Sequence, residues 1–449
     1  MAGPRSRIAE PVWTADRAGV LFVLVGAWAI VPKILQTLTA AKYRVKVDEA
    51  EPPLTPVTVV ATDVLTLALL GFCLLVVLDA LRRNLRRDLL GVTLLLAPWV
   101  WVQVRGFTLG STPSVSDLVY PAVVVAVWLV RPGLRHLRLL GYLAGVVAVV
   151  SLLIGIVLPD QGVFRSLDGS VIVEEKSIVP FGMLVGVFTH GNPLGQYLLM
   201  GLPLVALVPR RRLRAVLLAA MVVALVWSSA RSTIAGAVAL VAVVAVLSLL
   251  PADRRSVPAR LVLWGGFGLV AVLPFVTTTD AAFTGRGGIW SSSLAIWRAH
   301  PWVGNGSDLY ARIAQTSAYL GGTVYHGHNE MVQLLVTGGV VLAVLVGVLL
   351  LAAIRCATRT PGGGLVGVAI LVALAGASLL EVSLLFDDNS VFDPVLLLPL
   401  ATLLVGEPLG TDTAPRPGRP GLQGPRASED RAPSPGQRSG NDDVLPSLP

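Results

Sequence analysis

Residues 326–355 read HGHNEMVQLLVTGGVVLAVLVGVLLLAAIR. No charged side chain lies between Glu330 and Arg355. A helix needs about 20 apolar residues to cross a hydrocarbon core, and residues 330–354 exceed that length. Comparable runs recur along the 449 residues, at 18–36, 57–81, 88–104, 117–131, 138–158, 181–208, 213–228, 232–250, 260–277, 363–382 and 391–406. With 330–354 these predict about 12 transmembrane helices. Only 14% of the chain is charged and 54% is hydrophobic, against about 25% charged in soluble domains. Period-two alternation is absent, which argues against a barrel. Backbone groups in lipid must then be satisfied within each helix, so the expected fold is an all-α polytopic membrane protein.

The net charge of +8 does not point to nucleic acid, because the arginines gather in short loops between spans. Arg82, Arg83, Arg86 and Arg87 follow the second span, and Arg131, Arg135 and Arg138 the fourth. Arg210, Arg211, Arg212 and Arg214 follow the sixth, Arg254, Arg255 and Arg260 the eighth, and Arg355 and Arg359 the tenth. Exits from odd spans are neutral, mixed or acidic. Basic short loops stay in the cytoplasm, which predicts that both termini are cytoplasmic. The division expected is a cytoplasmic N-terminus at 1–17, transmembrane helices 1–9 across 18–277, a large extracytoplasmic loop at 278–329, helices 10–12 across 330–406, and a disordered cytoplasmic tail at 407–449. That tail is rich in Pro, Gly, Ser and charge of both signs and cannot bury a core. The first span carries no small-residue cleavage site after it and reads as a retained anchor. Cys73 and Cys356, one in a span and one beside one, do not suggest a structural disulfide.

The loop at 278–329 holds three of the five histidines, His300, His326 and His328. Residues 289–298 place Trp290, Leu294 and Trp297 on one helical face, which predicts a short amphipathic helix at the membrane interface. His326 and His328 suit two readings: a general base near neutral pH, or surface histidines that cap a helix. A metal is not expected, because the loop adds only Asp280 and Asp308 before Glu330 and has no cysteine. Arg231, in WSSARST, breaks the arginine-poor pattern of the outer loops, and Arg286 is flanked by Gly285 and Gly287. Two outer arginines near headgroup depth suit phosphate recognition, or else a contact with anionic lipid or with Glu174, Glu175 or Asp308. At 186–195, GVFTHGNPLG breaks the backbone before a helix and offers His190 and Asn192 as polar contacts for a substrate.

In order and spacing these segments resemble the O-antigen ligase and O-antigen polymerase superfamily of bacterial polysaccharide assembly. The resemblance rests on GVFTHGNPLG (186–195), SSARST (228–233), GRGGIW…HPWVGNG (285–306) and HNEMVQLLVTGG (328–339). It departs at Leu342, where a second glycine is usual, and at Ala230, where serine or glycine is common. The resemblance implies a fold similar to the C-type glycosyltransferases and an inverting, metal-independent transfer needing no cofactor. It implies an undecaprenyl-pyrophosphate-linked glycan as donor on the outer face of the plasma or inner membrane. His328 matches the histidine that acts as base or positions the acceptor, and Arg231 and Arg286 match the arginines that bind pyrophosphate. His326, His190, Asn192 and Asn329 are the expected substrate contacts. Trp290, Trp297 and Tyr325 either stack on sugar rings or anchor the loop. The acceptor is a lipid, a glycan or the wall, and the acceptor alone separates ligase from polymerase.

Two rivals stand beside this reading. A transporter or flippase for a glycolipid or small solute calls for ionisable groups deep in several spans, and such groups are scarce here. A carboxylate-based transferase would draw its base from Asp48, Glu49 or Glu51.

Overall fold

The computed structural model describes residues 16–40, 53–85, 87–112, 114–164, 177–316, 326–359, 365–386 and 392–407. Among them the chain is helical, with no sheet and one isolated antiparallel bridge between Val163 and Leu184. The expected tail, Asp48, Glu49, Glu51, Glu174, Glu175 and Tyr325 lie outside the described residues.

The helices are α1 (Arg17–Thr39), α2 (Pro56–Arg82), α3 (Leu90–Thr108), α4 (Val119–Val130), α5 (Leu134–Val157), α6 (Pro159–Gly162), α7 (Gly191–Val205) and α8 (Arg211–Trp227). There follow α9 (Arg231–Leu249), α10 (Ser256–Val276), α11 (Ala282–Trp297), α12 (Leu309–Thr316), α13 (Glu330–Arg359), α14 (Val366–Ser378) and α15 (Leu397–Val405). Among the described residues, seven helices are long and apolar enough to cross a membrane: α1, α2, α3, α5, α9, α10 and α13. The other five predicted spans carry the shorter helices α4, α7, α8, α14 and α15. The protein is a multi-helix membrane protein whose lipid-facing surface, such as Leu67, Leu74 and Val238, is apolar as lipid demands.

Hydrogen bonds tie helix ends together in two sets of contacts. In one, Arg17 and Arg83 both pair with Asp79, His136 Nε2 lies 3.0 Å from Asp16, and Arg87 donates to the Leu129 carbonyl. Arg260 Nε donates to Thr358 Oγ1 in the same way. In the other, Gln36 donates to the Pro53 carbonyl, Arg105 to that of Gly304, and Asn329 to those of Val270 and Leu379. Arginines from the exits of predicted spans two and eight, Arg83, Arg87 and Arg260, thus take part in contacts between helix ends.

Three predicted spans are shorter than expected, and the twelfth, expected from 391, opens its helix α15 only at Leu397. The sixth was expected from 181, but α7 begins at Gly191. Residues 181–190 are irregular because Gly182 and Gly186 adopt left-handed φ, and Leu184 and Val185 donate to the carbonyls of Trp227 and Gly162 instead of to a helix. His190 then caps α7, its Nδ1 accepting from the Asn192 amide. The eleventh was expected to reach 382, but α14 ends at Ser378. Beyond it, side chains from other helices take up the freed backbone: Glu330 Oε2 accepts from the amides of Ser383 and Leu384, and Gln196 donates to the Val382 carbonyl.

The long helix α13 is broken at Gly339 (φ 71°, ψ −168°). Residues 301–306 fill the break. Val340 and Val341 donate to the carbonyls of Pro301 and Trp302, while Asn305 and Gly306 donate to those of Val336 and Thr337. The HPWVGNG segment is therefore a plug of backbone in a discontinuous helix, which is how non-helical backbone is tolerated at membrane depth. Leu342, where the resemblance departs, packs over Gly338, so the close approach there is kept by a buried side chain.

Candidate functional site

The polar centre is assembled from four segments, and its hub is Glu381. The carboxylate is 5% exposed and is approached from all sides. Arg286, from the first turns of α11, pairs with Oε1. Asn192, from the first turn of α7, donates to the same oxygen at 2.9 Å. His328 Nδ1 lies 3.3 Å from Oε2, and His326 Nε2 lies 3.8 Å from it. The two imidazoles have ring centroids 4.1 Å apart.

Local backbone explains why each side chain reaches the hub. His328 has φ 47°, an uncommon conformation outside glycine that histidine tolerates better than most. Its amide donates to His326 Nδ1, so the HGH turn folds back and brings both rings to one side. Asn329 closes the turn: its Oδ1 accepts from the Val332 amide and caps α13. Arg286 follows three left-handed residues, Phe283, Thr284 and Gly285. For a β-branched residue such as Thr284 this is strained, of order 1–3 kcal/mol, and such strain clusters at functional sites.

The electrostatics favour an ionised Glu381 beside a neutral His326. Burial pushes the Glu381 carboxyl up, but the His328 hydrogen bond and the Arg286 and histidine charges outweigh it and hold it at about 2. Burial, with His328 close by, pushes His326 down to about 3. Ligand atoms of His326, His328 and Glu381 lie within 4.8 Å of one another, a number and kind of donors that could meet a metal ion. The Arg286 guanidinium already supplies the cation against this carboxylate, and an ion added there would face fixed positive charge.

The predicted residues therefore divide. His328, His326, Arg286 and Asn192 meet at Glu381. His190 lies at the start of α7, edge-on to Phe164 at 5.1 Å. Arg231 opens α9, which crosses the first turns of α7 so closely that a Cβ on Gly195 would lie 2.5 Å from Thr233 Oγ1. Asn329 is fully buried and its amide serves the Val270 and Leu379 carbonyls and the α13 cap, so it holds scaffold. The amphipathic helix forms, but its tryptophan face is turned inward. Trp290 is 0% exposed, packed with Tyr310, Val332 and Val336 and against Phe283, and offers no ring face to a sugar. Trp297 donates to the Pro301 carbonyl and braces the plug. An apolar depression of about 420 Å³ between α3 and α13, lined by Leu96, Val100, Val104 and Leu345 among others, shares no residue with the polar centre.

Glu381 was not foreseen. It lies in SLLEVSLL, inside the predicted eleventh span, and the signal was there to read: a lone carboxylate in an apolar run needs a partner and marks a site by default.

The fold and centre define a class first: a multi-pass helical membrane protein with a histidine–carboxylate–arginine centre. Within it, residues 183–347 match the family model described as O-antigen ligase. The match takes in all four segments on which the resemblance rests; Glu381 lies beyond it. No curated protein and no solved structure matches the chain.

Proposed function

We propose that the protein is an inverting glycosyltransferase of ligase or polymerase type, with about twelve spans, both termini cytoplasmic and its polar centre at the extracytoplasmic face. The donor is a glycan on undecaprenyl pyrophosphate. The observation that carries this is the contact of His328 Nδ1 with Glu381 Oε2, with Arg286 on the same carboxylate. With Nδ1–H donated to Glu381, Nε2 is left as the base, and the carboxylate stabilises the imidazolium that forms. The acceptor hydroxyl gives its proton to His328 Nε2 as its oxygen attacks C1. The C1–O bond to the pyrophosphate breaks on the opposite face and the leaving group keeps the electron pair. Arg286 and Arg231 stabilise the charge that develops there.

The test uses purified protein and an undecaprenyl-pyrophosphate oligosaccharide, with wild type, His328→Ala and Arg231→Ala compared at equal folding. Glycan transfer with release of undecaprenyl pyrophosphate, insensitive to a chelator and lost in both variants, is the expected result. Product length then separates polymerase from ligase. Full activity in both variants would overturn the site, and loss on chelation would overturn the metal-independent chemistry.

A further inference from the structure

The residue assigned to the donor's diphosphate is already engaged within the protein. Arg286 is 15% exposed and paired with Glu381, the carboxylate that also holds the proposed base. We infer that the donor takes Arg286 away from Glu381, so that binding the diphosphate releases the carboxylate to His328; this deepens the proposed function and rests on it.

Three observations carry the exchange. Glu381 is over-supplied: Oε1 receives Arg286 and Asn192, and Oε2 faces His328 and His326. Losing Arg286 therefore does not leave an unpaired buried carboxylate, which is the usual reason a buried pair stays closed. The competitor is also stronger, since a diphosphate brings more negative charge and more acceptor oxygens than one carboxylate and suits the guanidinium fork. Finally, Arg286 is carried on the left-handed turn at 283–285, and Gly285 has open space around its Cα. The backbone that presents the guanidinium is strained on the side of residues 283–285, and strain of this kind collects at ligand clamps and switch segments.

The consequence is an order of events. While Arg286 sits on Glu381 it draws the carboxylate's charge away from His328. Once the diphosphate holds Arg286, the carboxylate is left to Asn192 and the two histidines, with His328 Nδ1 the nearer ring nitrogen at 3.3 Å. No covalent bond changes in this step. An acceptor hydroxyl is thus activated only when a donor is in place.

The exchange predicts that Glu381 opposes donor binding through Arg286. Binding of undecaprenyl pyrophosphate, the probe, is measured in detergent for wild type, Glu381→Gln, Arg286→Gln and the double variant, each checked for a monodisperse folded state. Glu381→Gln should bind about tenfold more tightly than wild type, in the usual range of coupling between sites, while losing transfer. In the Arg286→Gln background the same change should give no gain. A gain that persists without Arg286 would mean plain repulsion between carboxylate and diphosphate and would overturn the exchange. Unchanged or weaker binding in Glu381→Gln would overturn it too. Glu381→Asp, which keeps the charge but shortens the reach to Arg286, serves if the glutamine variant misfolds, and should also bind more tightly. Failure of wild type to bind the probe would overturn the proposed function itself, a result distinct from either of these.

Discussion

Replacing Gly339 by alanine attacks the break in α13, and the structure gives its size. Gly339 sits at φ 71°, ψ −168°, a region that essentially only glycine occupies, so any side chain costs about 1–3 kcal/mol in strain. The new Cβ would stand 2.2 Å from the Trp302 carbonyl oxygen and 2.5 Å from the Val303 nitrogen. Both are backbone atoms, so no rotamer change relieves the clash and the plug must move. Its departure strips Val340 and Val341 of their acceptors, at about 1–3 kcal/mol for each buried donor left unsatisfied. The sum, about 3–9 kcal/mol, is a large part of the ~5–15 kcal/mol that typically holds a domain together. Thermal unfolding in detergent should show a large loss of stability, and limited proteolysis should open new cuts in residues 282–316. Gly347→Ala in the same helix is the control. Its Cβ meets nothing within 4 Å, so it should be neutral or gain up to about 1 kcal/mol from helix propensity. If Gly339→Ala melts and cuts like wild type, the plug does not hold the break and the reasoning is wrong.

Further outcomes follow from the same contacts. Asn329→Ala removes the α13 cap and two bonds to the Val270 and Leu379 carbonyls, and should lower stability by about 2–4 kcal/mol, read as a fall in melting temperature. Acid should loosen the site through two groups. His326 is held neutral well below its unfolded value of 6.5, so its contribution is complete above about 6.5 and is lost as pH falls toward 3. Glu381 is depressed from 4.5 to about 2, so its contribution is lost lower, between those values. His326→Gln, which cannot take the proton, should flatten melting temperature against pH between about 6.5 and 4.5; a profile that tracks wild type would refute the assignment.

Much of the architecture was legible because lipid simplifies the code. Long uncharged runs such as 330–354 become helices, and arginines such as Arg83, Arg87 and Arg260 lie where helix ends touch. Hydropathy could not place the ends of the shorter helices. α14 stops at Ser378 because Glu330 and Gln196, distant in sequence, bind the backbone beyond it. The site was half legible. His328, Arg286 and Asn192 stood out as polar residues in unusual loops, and they do converge. Glu381 did not, because it hid in an apolar run and its partners are brought to it only by tertiary packing. Trp290 was misleading for the reverse reason: period and type suggest an interfacial anchor, but only packing reveals that the face is covered by Tyr310 and Val332.

The plug in α13 also bears on how the chain is made. Residues 301–306 leave the ribosome before the helix that receives them exists. Until then their carbonyls and amides lack the partners that α13 supplies. Only when residues 330–359 have been inserted do Val340 and Val341 present their amides to the waiting segment. Assembly of the centre is thus deferred to the last third of synthesis, and a chain truncated before α13 would carry Arg286 and Asn192 on the membrane with no partner to organise them.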